Sequence, residues 1–197
     1  LALAAAGVPF EIVPGIASPV AASAYAGISL THRGLSSSVT FITGSDREAR
    51  EWSPEAWERL ATATDTICVL MGVRRLEPIT AALVRGGRSP ETPAAMVQWG
   101  ARAEQRVVTA TLGTIAAAVR AAGLGSPAIL FVGDVVGLRD GLAWYDRQPL
   151  FGRRILVPRP RSQAAGRASW PETLSRSQSA ILALAENTRT GLLGKHQ

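Results

Sequence analysis

Apolar and polar positions along this chain alternate between short strand-like runs and stretches with helical spacing. Phe10 to Val13 reads as a short strand stopped by Pro14-Gly15. Ser18 is placed to cap a helix that takes Pro19 in its first turn. Ala21, Ala22, Ala24 and Tyr25 continue it, and Gly27 ends it. Residues 38–44 form a second strand, and Ser53-Pro54 repeats the cap-and-proline opening for a helix to about Ala63. Thr66 to Val73 is a continuous apolar run, the pattern of a strand covered on both faces. Between Arg75 and Arg85, Leu76, Ile79, Ala82 and Leu83 recur at helical spacing, and Gly86-Gly87 stops them. Two strands follow, Ala94 to Trp99 and Gln105 to Thr111, around the turn Gly100-Ala101. An alanine-rich helix from Gly113 to Ala122 and a last buried strand from Pro127 to Val136 complete the pattern.

Strands alternating with helices predict an open α/β sheet, made mixed by the turn between the Ala94 and Gln105 strands. Trp144 to Gly152 reads as a domain boundary. Beyond it, Arg153 to Arg161 has the look of a new strand and residues 163–166 of a helix start. No coherent pattern follows Arg167 except the apolar stretch Ala180 to Ala185, so a poorly ordered tail is expected.

Charge changes this picture only locally. The net charge is +6, yet residues 1–147 carry 13 Arg against 13 Asp and Glu. Residues 148–197 hold seven Arg and one Lys against Glu172 and Glu186, so the tail supplies the whole excess. A nucleic-acid footprint should cluster on a folded face, and nucleic acid is not expected as a partner. No apolar run approaches the roughly 20 residues of a membrane span. Leu1 to Gly7 lacks the basic start of a signal peptide and reads as the end of a helix that begins upstream. With Cys68 alone, no intrachain disulfide is possible, which fits a reducing, cytoplasmic setting. Cys68 lies in a buried-strand pattern and reads as core. One Cys and two His (His32, His196) give no metal-ligand spacing, so no metal is expected.

Two segments carry the most information: Pro14-Gly15-Ile16-Ala17-Ser18-Pro19 running on to Leu30-Thr31-His32-Arg33, and Val69-Leu70-Met71-Gly72-Val73. With Gly7-Val8-Pro9-Phe10, Gln105-Arg106-Val107-Val108 and Val132-Gly133-Asp134-Val135-Val136-Gly137-Leu138-Arg139, they stand in one order and spacing. Over residues 1–147 the chain resembles the back half of the uroporphyrinogen-III C-methyltransferases, a family of tetrapyrrole methylases. The resemblance implies a tetrapyrrole methylase-like α/β fold of two domains, S-adenosylmethionine bound between them, and a homodimer. It divides the chain into the end of a first domain (1–16), a connector (17–37), the second domain (38–147), and a linker with tail (148–197). Residues 153–166 resemble the opening of uroporphyrinogen-III synthase. The family's Gly-rich cofactor loop is not in this sequence, so the resemblance implies an N-terminally truncated form with doubtful activity alone.

Carried over by position, Ala17 and Ser18 match connector residues that contact the cofactor. Ser18 at a helix N-terminus has two readings: free N–H groups facing a carboxylate, or a plain cap. Met71 matches a cofactor-lining methionine, although by itself it reads as core. Gly72 would let backbone approach a ligand. Gly100 and Ala128 match adenosine-contacting positions at strand ends, where α/β sheets place ligands. Arg33 is the candidate substrate contact, since a guanidinium fork suits the carboxylates of uroporphyrinogen. His32 either donates a hydrogen bond to the substrate or orients the loop. Asp134 reads as structural.

The implied reaction moves methyl groups from the sulfonium of S-adenosylmethionine to two ring carbons of uroporphyrinogen III, giving precorrin-2 for siroheme or cobalamin. Alignment and exclusion of water fall to the protein. No catalytic proton acceptor can be named from these residues. The alternatives are a sibling methylase of this fold, acting on a corrin precursor, diphthine or ribosomal RNA, and a non-catalytic half-domain. Leu30-Thr31-His32-Arg33 and Val132-Gly133-Asp134-Val135-Val136 favour the uroporphyrinogen branch over the siblings.

Overall fold

A computed structural model describes residues 1–44 and 52–154 of the 197-residue chain. In chain order the elements are α1 (Ala2–Ala5), α2 (Ser18–Ala26), β1 (Val39–Thr43), α3 (Pro54–Leu60), β2 (Thr66–Leu70), α4 (Leu76–Arg85), β3 (Pro93–Gln98), β4 (Arg106–Thr111), α5 (Ile115–Ala121), β5 (Ala128–Val132) and α6 (Arg139–Leu142). Short 3-10 segments, Val73–Arg75 and Asp134–Leu138, lead into α4 and α6. The tail beyond residue 154, with the stretch resembling a synthase, lies outside the described residues.

The five strands make one mixed sheet in the order β1-β2-β5-β3-β4. β1 and β2 run parallel, while β5 returns antiparallel between β2 and β3, and β4 is antiparallel to β3. Consequently β1, β2 and β3 all point one way, and their carboxyl ends share one edge with the amino ends of β4 and β5.

Alternation along the buried strands sends side chains to two different cores. Ile67, Val69, Met96, Leu130 and Val132 face a layer made by Trp57 of α3, Leu76, Ile79 and Leu83 of α4, and Ile115 and Val119 of α5. Each such aliphatic side chain, fully buried, contributes about 1.5–3 kcal/mol. Cys68, Ala95, Val97 and Phe131 face the other way, against Ala22 and Ala26 of α2 and Val135 and Val136 of the second 3-10 segment. The small residues on this second face let the connector helix lie close to the sheet.

Several local expectations are corrected. The strand expected over Thr66 to Val73 stops at Leu70, because Met71 takes a left-handed φ of 54°. Phe10 to Val13 is extended but is no strand: it pairs with nothing in the sheet, and Ile12 and Val13 are 83% and 85% exposed. A lone extended segment has no ladder to stabilise it. The cap of α2 is Ala17, with no side-chain hydrogen bond, and Ser18 is the first helical residue. Ser53 does cap α3, accepting from the Ala56 N–H. The strand expected over Pro127 to Val136 stops at Val132, because Gly133 takes φ +146° and leaves no room for a Cβ beside the Asp65 carbonyl oxygen at 2.9 Å.

Among the described residues no helix is long and apolar enough to cross a membrane.

Candidate cofactor site

The shared edge of the sheet is where three of the sequence candidates arrive. Met71 follows β2, Gly100 follows β3, and Ala128 opens β5 between them, with Leu70 opposite Ile129 and Gln98 opposite Ala128. Two strand spacings put the Met71 and Trp99 backbones about 10 Å apart. Met71 and Trp99 are 59% and 37% exposed, so a thioether and an indole flank this edge. Ala128 differs: its methyl is buried in the helix-covered core, and only its backbone is at the edge.

The backbone here is unusual. Among the described residues, those other than glycine with positive φ are Met71 (54°), Trp99 (53°) and Ala101 (65°). All three lie at this edge. A left-handed conformation costs a residue with a Cβ about 1–2 kcal/mol, and such strain concentrates at functional sites. The Arg102 guanidinium stacks over the Trp99 ring, 4.7 Å from its centroid, and pairs with Glu104 at 3.4 Å.

The glycines of the edge serve packing. A Cβ on Gly100 would sit 2.6 Å from the Ala22 Cβ, so its bareness admits the connector helix. A Cβ on Gly44 would meet the Gly72 Cα at 2.8 Å, so these two glycines let the ends of β1 and β2 touch. Any ligand at Gly72 or Gly100 would therefore meet backbone on the sides their neighbours leave open.

The connector helix α2 is held by its last carbonyls. Ala24 accepts from the Trp144 indole N–H at 3.0 Å, Tyr25 from the Gln105 amide at 3.2 Å, and Ala26 from the Arg139 guanidinium. Arg139 also pairs with Asp146 in a largely buried ion pair, setting a cation at the negative end of the helix dipole. Tyr145 packs edge-on against Tyr25 at 4.7 Å, and burial raises its phenol pKa. The opposite end of α2 is open: Ala17 and Ser18 are exposed, and the first intrahelical donors are the N–H groups of Val20 and Ala21. Ahead of them Pro19 has no N–H, so the Ser18 N–H is the helical donor that this end offers a carboxylate.

His32 and Arg33 lie elsewhere. They sit in an exposed turn closed by His32–Ser36 backbone hydrogen bonds, and the Ser36 hydroxyl meets Thr66 Oγ1 at 2.8 Å. Thr66 begins β2, so this turn is tied to the amino end of a strand whose carboxyl end, about 13 Å away, leads to Met71. A shallow cleft of about 440 Å³ opens beside it, between the end of α2, Leu30, Thr31 and Trp144. None of the seven candidate residues lines that cleft. Asp134 is exposed at the amino end of the sheet and attracts Arg88. Cys68 is fully buried, and burial pushes its thiol up to about 12, which leaves it protonated and inert. Among the described residues no cluster of three metal-ligating side chains occurs.

Trp99 and Gln105 were not among the candidate site residues, although Gln105 opens one of the segments that carry the resemblance. Gln105 was expected to begin a strand, but β4 starts at Arg106 and the Gln105 side chain turns inward, 3% exposed. A buried glutamine beside a Trp-Gly-Ala turn was the available signal.

Residues 1–116 match the Tetrapyrrole (Corrin/Porphyrin) Methylases. A siroheme synthase of Stutzerimonas stutzeri is 46% identical over 151 residues, covering 77% of this chain and 32% of that protein. An S-adenosyl-L-methionine-dependent uroporphyrinogen III methyltransferase of Methanosarcina barkeri is 46% identical over 138 residues, 70% of this chain and 54% of its own length. Among solved structures, uroporphyrin-III C-methyl transferase of Thermus thermophilus, complexed with S-adenyl homocysteine, superposes with a TM-score of 0.57 at 32% identity, over 69% of this chain and 57% of that one. The chain thus spans about half the length of these methyltransferases and a third of the synthase. By its sequence over residues 1–116 and by its mixed sheet, the chain belongs to the tetrapyrrole methylases.

Proposed function

We propose that this chain supplies the connector and second domain of an S-adenosylmethionine-dependent methyltransferase that converts uroporphyrinogen III to precorrin-2. The observation that carries the reading is the convergence of Met71 and the Trp99–Ala101 turn, from two different strands, on one strained edge of the sheet. An exposed thioether and an exposed indole on backbones about 10 Å apart suit an adenosyl group. The open N-terminus of α2 suits its carboxylate.

When bound, S-adenosylmethionine supplies the electrophilic methyl group. The chain's own residues then have three tasks. Met71 and the Trp99–Ala101 turn bind and orient the adenosyl end, with Gly100 and Ala128 offering backbone. Ala17 and Ser18 receive the methionine carboxylate. Arg33, helped by His32, holds a substrate carboxylate, and its distance from the sheet edge fits a macrocycle that reaches across the domain or a site completed by a second copy. A homodimer working in the cytoplasm completes the reading, with residues 1–16 as the end of a first domain and 38–147 as the second. That arrangement accounts for the exposed Phe10, Ile12, Val13 and Ile16 as a surface meant to be covered.

The test is calorimetric titration of S-adenosylhomocysteine into this chain and into a chimera preceded by the amino-terminal half of the Methanosarcina barkeri relative. We expect weak binding to the chain and at least tenfold tighter binding to the chimera, with turnover of uroporphyrinogen III in the chimera alone. Silence from both would remove the methyltransferase reading.

A further inference from the structure

Gln105 is buried to 3% exposure, and its side-chain amide is used at both ends. Its Oε1 accepts from the Ala101 N–H at 2.9 Å, and its Nε2 donates to the Tyr25 carbonyl at 3.2 Å. These partners fix which end of the amide is oxygen, since an N–H needs an acceptor and a carbonyl needs a donor. Ala101 is the left-handed residue that closes the Trp99–Ala101 turn, and Tyr25 belongs to the last turn of α2. One side chain therefore joins the strand-edge part of the candidate cofactor site to the helix whose far end carries Ala17 and Ser18.

We propose that Gln105 is a positioning residue: it sets the register of the connector helix against the Trp99–Ala101 turn, so that both meet one cofactor. This rests on the reading of the sheet edge as the S-adenosylmethionine site.

The other anchors of α2 do not perform this task. Trp144 and Arg139 hold the neighbouring carbonyls, but from the segment 139–146. The contact between Gly100 and Ala22 is apolar, so it sets a distance without a direction. The Gln105 amide is directional at both ends, and buried hydrogen bonds of this kind specify one arrangement because the unpaired alternative is costly. A helix of nine residues is a rigid rod about 13 Å long, so a slip at Tyr25 reappears in full at Ser18.

The test separates positioning from plain structural support, with S-adenosylhomocysteine as the probe on this chain. Gln105→Leu keeps the volume and removes both hydrogen bonds. Its dissociation constant should rise about tenfold, measured well below its melting temperature. Arg88→Ala is the control, because Arg88 bridges the carbonyls of Ala61, Thr64 and Asp65 at the other end of the sheet. It should lower the melting temperature and leave the dissociation constant unchanged. Hydrogen exchange on the unsubstituted chain needs no variant to fold: the ligand should slow exchange at Ala101 and at the first turn of α2 together. Unchanged affinity in Gln105→Leu, or protection of one of those two segments alone, overturns the positioning role and leaves the cofactor reading standing. Equal loss of affinity in Arg88→Ala also overturns it, since the effect would then follow stability. Absence of binding by the unsubstituted chain overturns the role in this chain, and absence in the chimera as well removes the cofactor reading itself.

Discussion

The two ends of the sheet are built on opposite terms. At the amino end of β1 and β2, polar groups are satisfied several times over. The Asp65 carboxylate accepts from the N–H and hydroxyl groups of both Ser37 and Ser38, at 2.8 to 3.1 Å. Arg88 caps three carbonyls beside it. At the carboxyl edge, three residues with Cβ atoms hold left-handed backbone, and a methionine and a tryptophan stand exposed. One end is arranged to hold the fold together. The other keeps local conformations that cost free energy, and at the Trp99–Ala101 turn packing on α2 helps maintain them. This contrast is what supports the proposed placement of the cofactor at the carboxyl edge.

The largest effect should come from the seam between α2 and the edge. Gly100→Ala places a Cβ 2.6 Å from the Ala22 Cβ and 3.0 Å from its Cα, so the helix backbone itself must move. Overpacking of this kind costs about 1–3 kcal/mol. Because the shift also moves the first turn of α2, affinity for S-adenosylhomocysteine should fall with it. Denaturant unfolding and calorimetry on the same variant check both. If stability falls and affinity does not, the edge and the helix are not parts of one site.

How far this was legible in the sequence follows from the same contrast. The strands and helices of the two cores were plain because burial imposes periodicity, as in Leu76 to Leu83 or the run from Thr66 to Val73, whose strand nonetheless ends at Leu70. Ser53-Pro54 announced a helix start through local chemistry alone. Phe10 to Val13 misled because its apolar residues promise a neighbour that these residues do not include. Ser18 misled because a serine before a proline looks like a cap, whereas the chain turns helical one residue earlier. At the edge, Met71 and Gly100 could be placed by resemblance to the family. The left-handed backbone of Trp99 and Ala101 could not, since neither residue type signals it. Gln105 was hidden for a related reason: its two partners lie four and eighty residues away.

Relieving the strain tests the edge from the other side. Ala101→Gly removes a Cβ from a residue at φ +65° and should stabilise the protein by up to about 1 kcal/mol, the reverse of the usual sign for this exchange. The glycine also frees the turn to leave the conformation that presents Gly100. Melting temperature should therefore rise while affinity for S-adenosylhomocysteine falls slightly. An increase in both would mean that the strain serves nothing at this site.

The smallest effect belongs to the amino end and concerns pH. The Asp65 carboxyl is held below its ordinary pKa, first by the Ser37 N–H and then by the Ser38 and Ser37 hydroxyls. A carboxylate with a lowered pKa in the folded state contributes stability that is fully present above its unfolded pKa, near 4, and is lost as pH falls through the lower folded value. Melting temperature should accordingly drop on acidification through that window. Asp65→Asn keeps an acceptor oxygen for Ser37 and Ser38 but no longer titrates, so it should flatten part of that drop while leaving the neutral-pH value only slightly lower. Asp65 is exposed, so the effect is modest. Its value lies in where it acts: affinity at the carboxyl edge should not follow it, because a strand's length separates the carboxylate from Met71. A ligand affinity that tracked Asp65 would join the two ends into one network and dissolve the distinction between them.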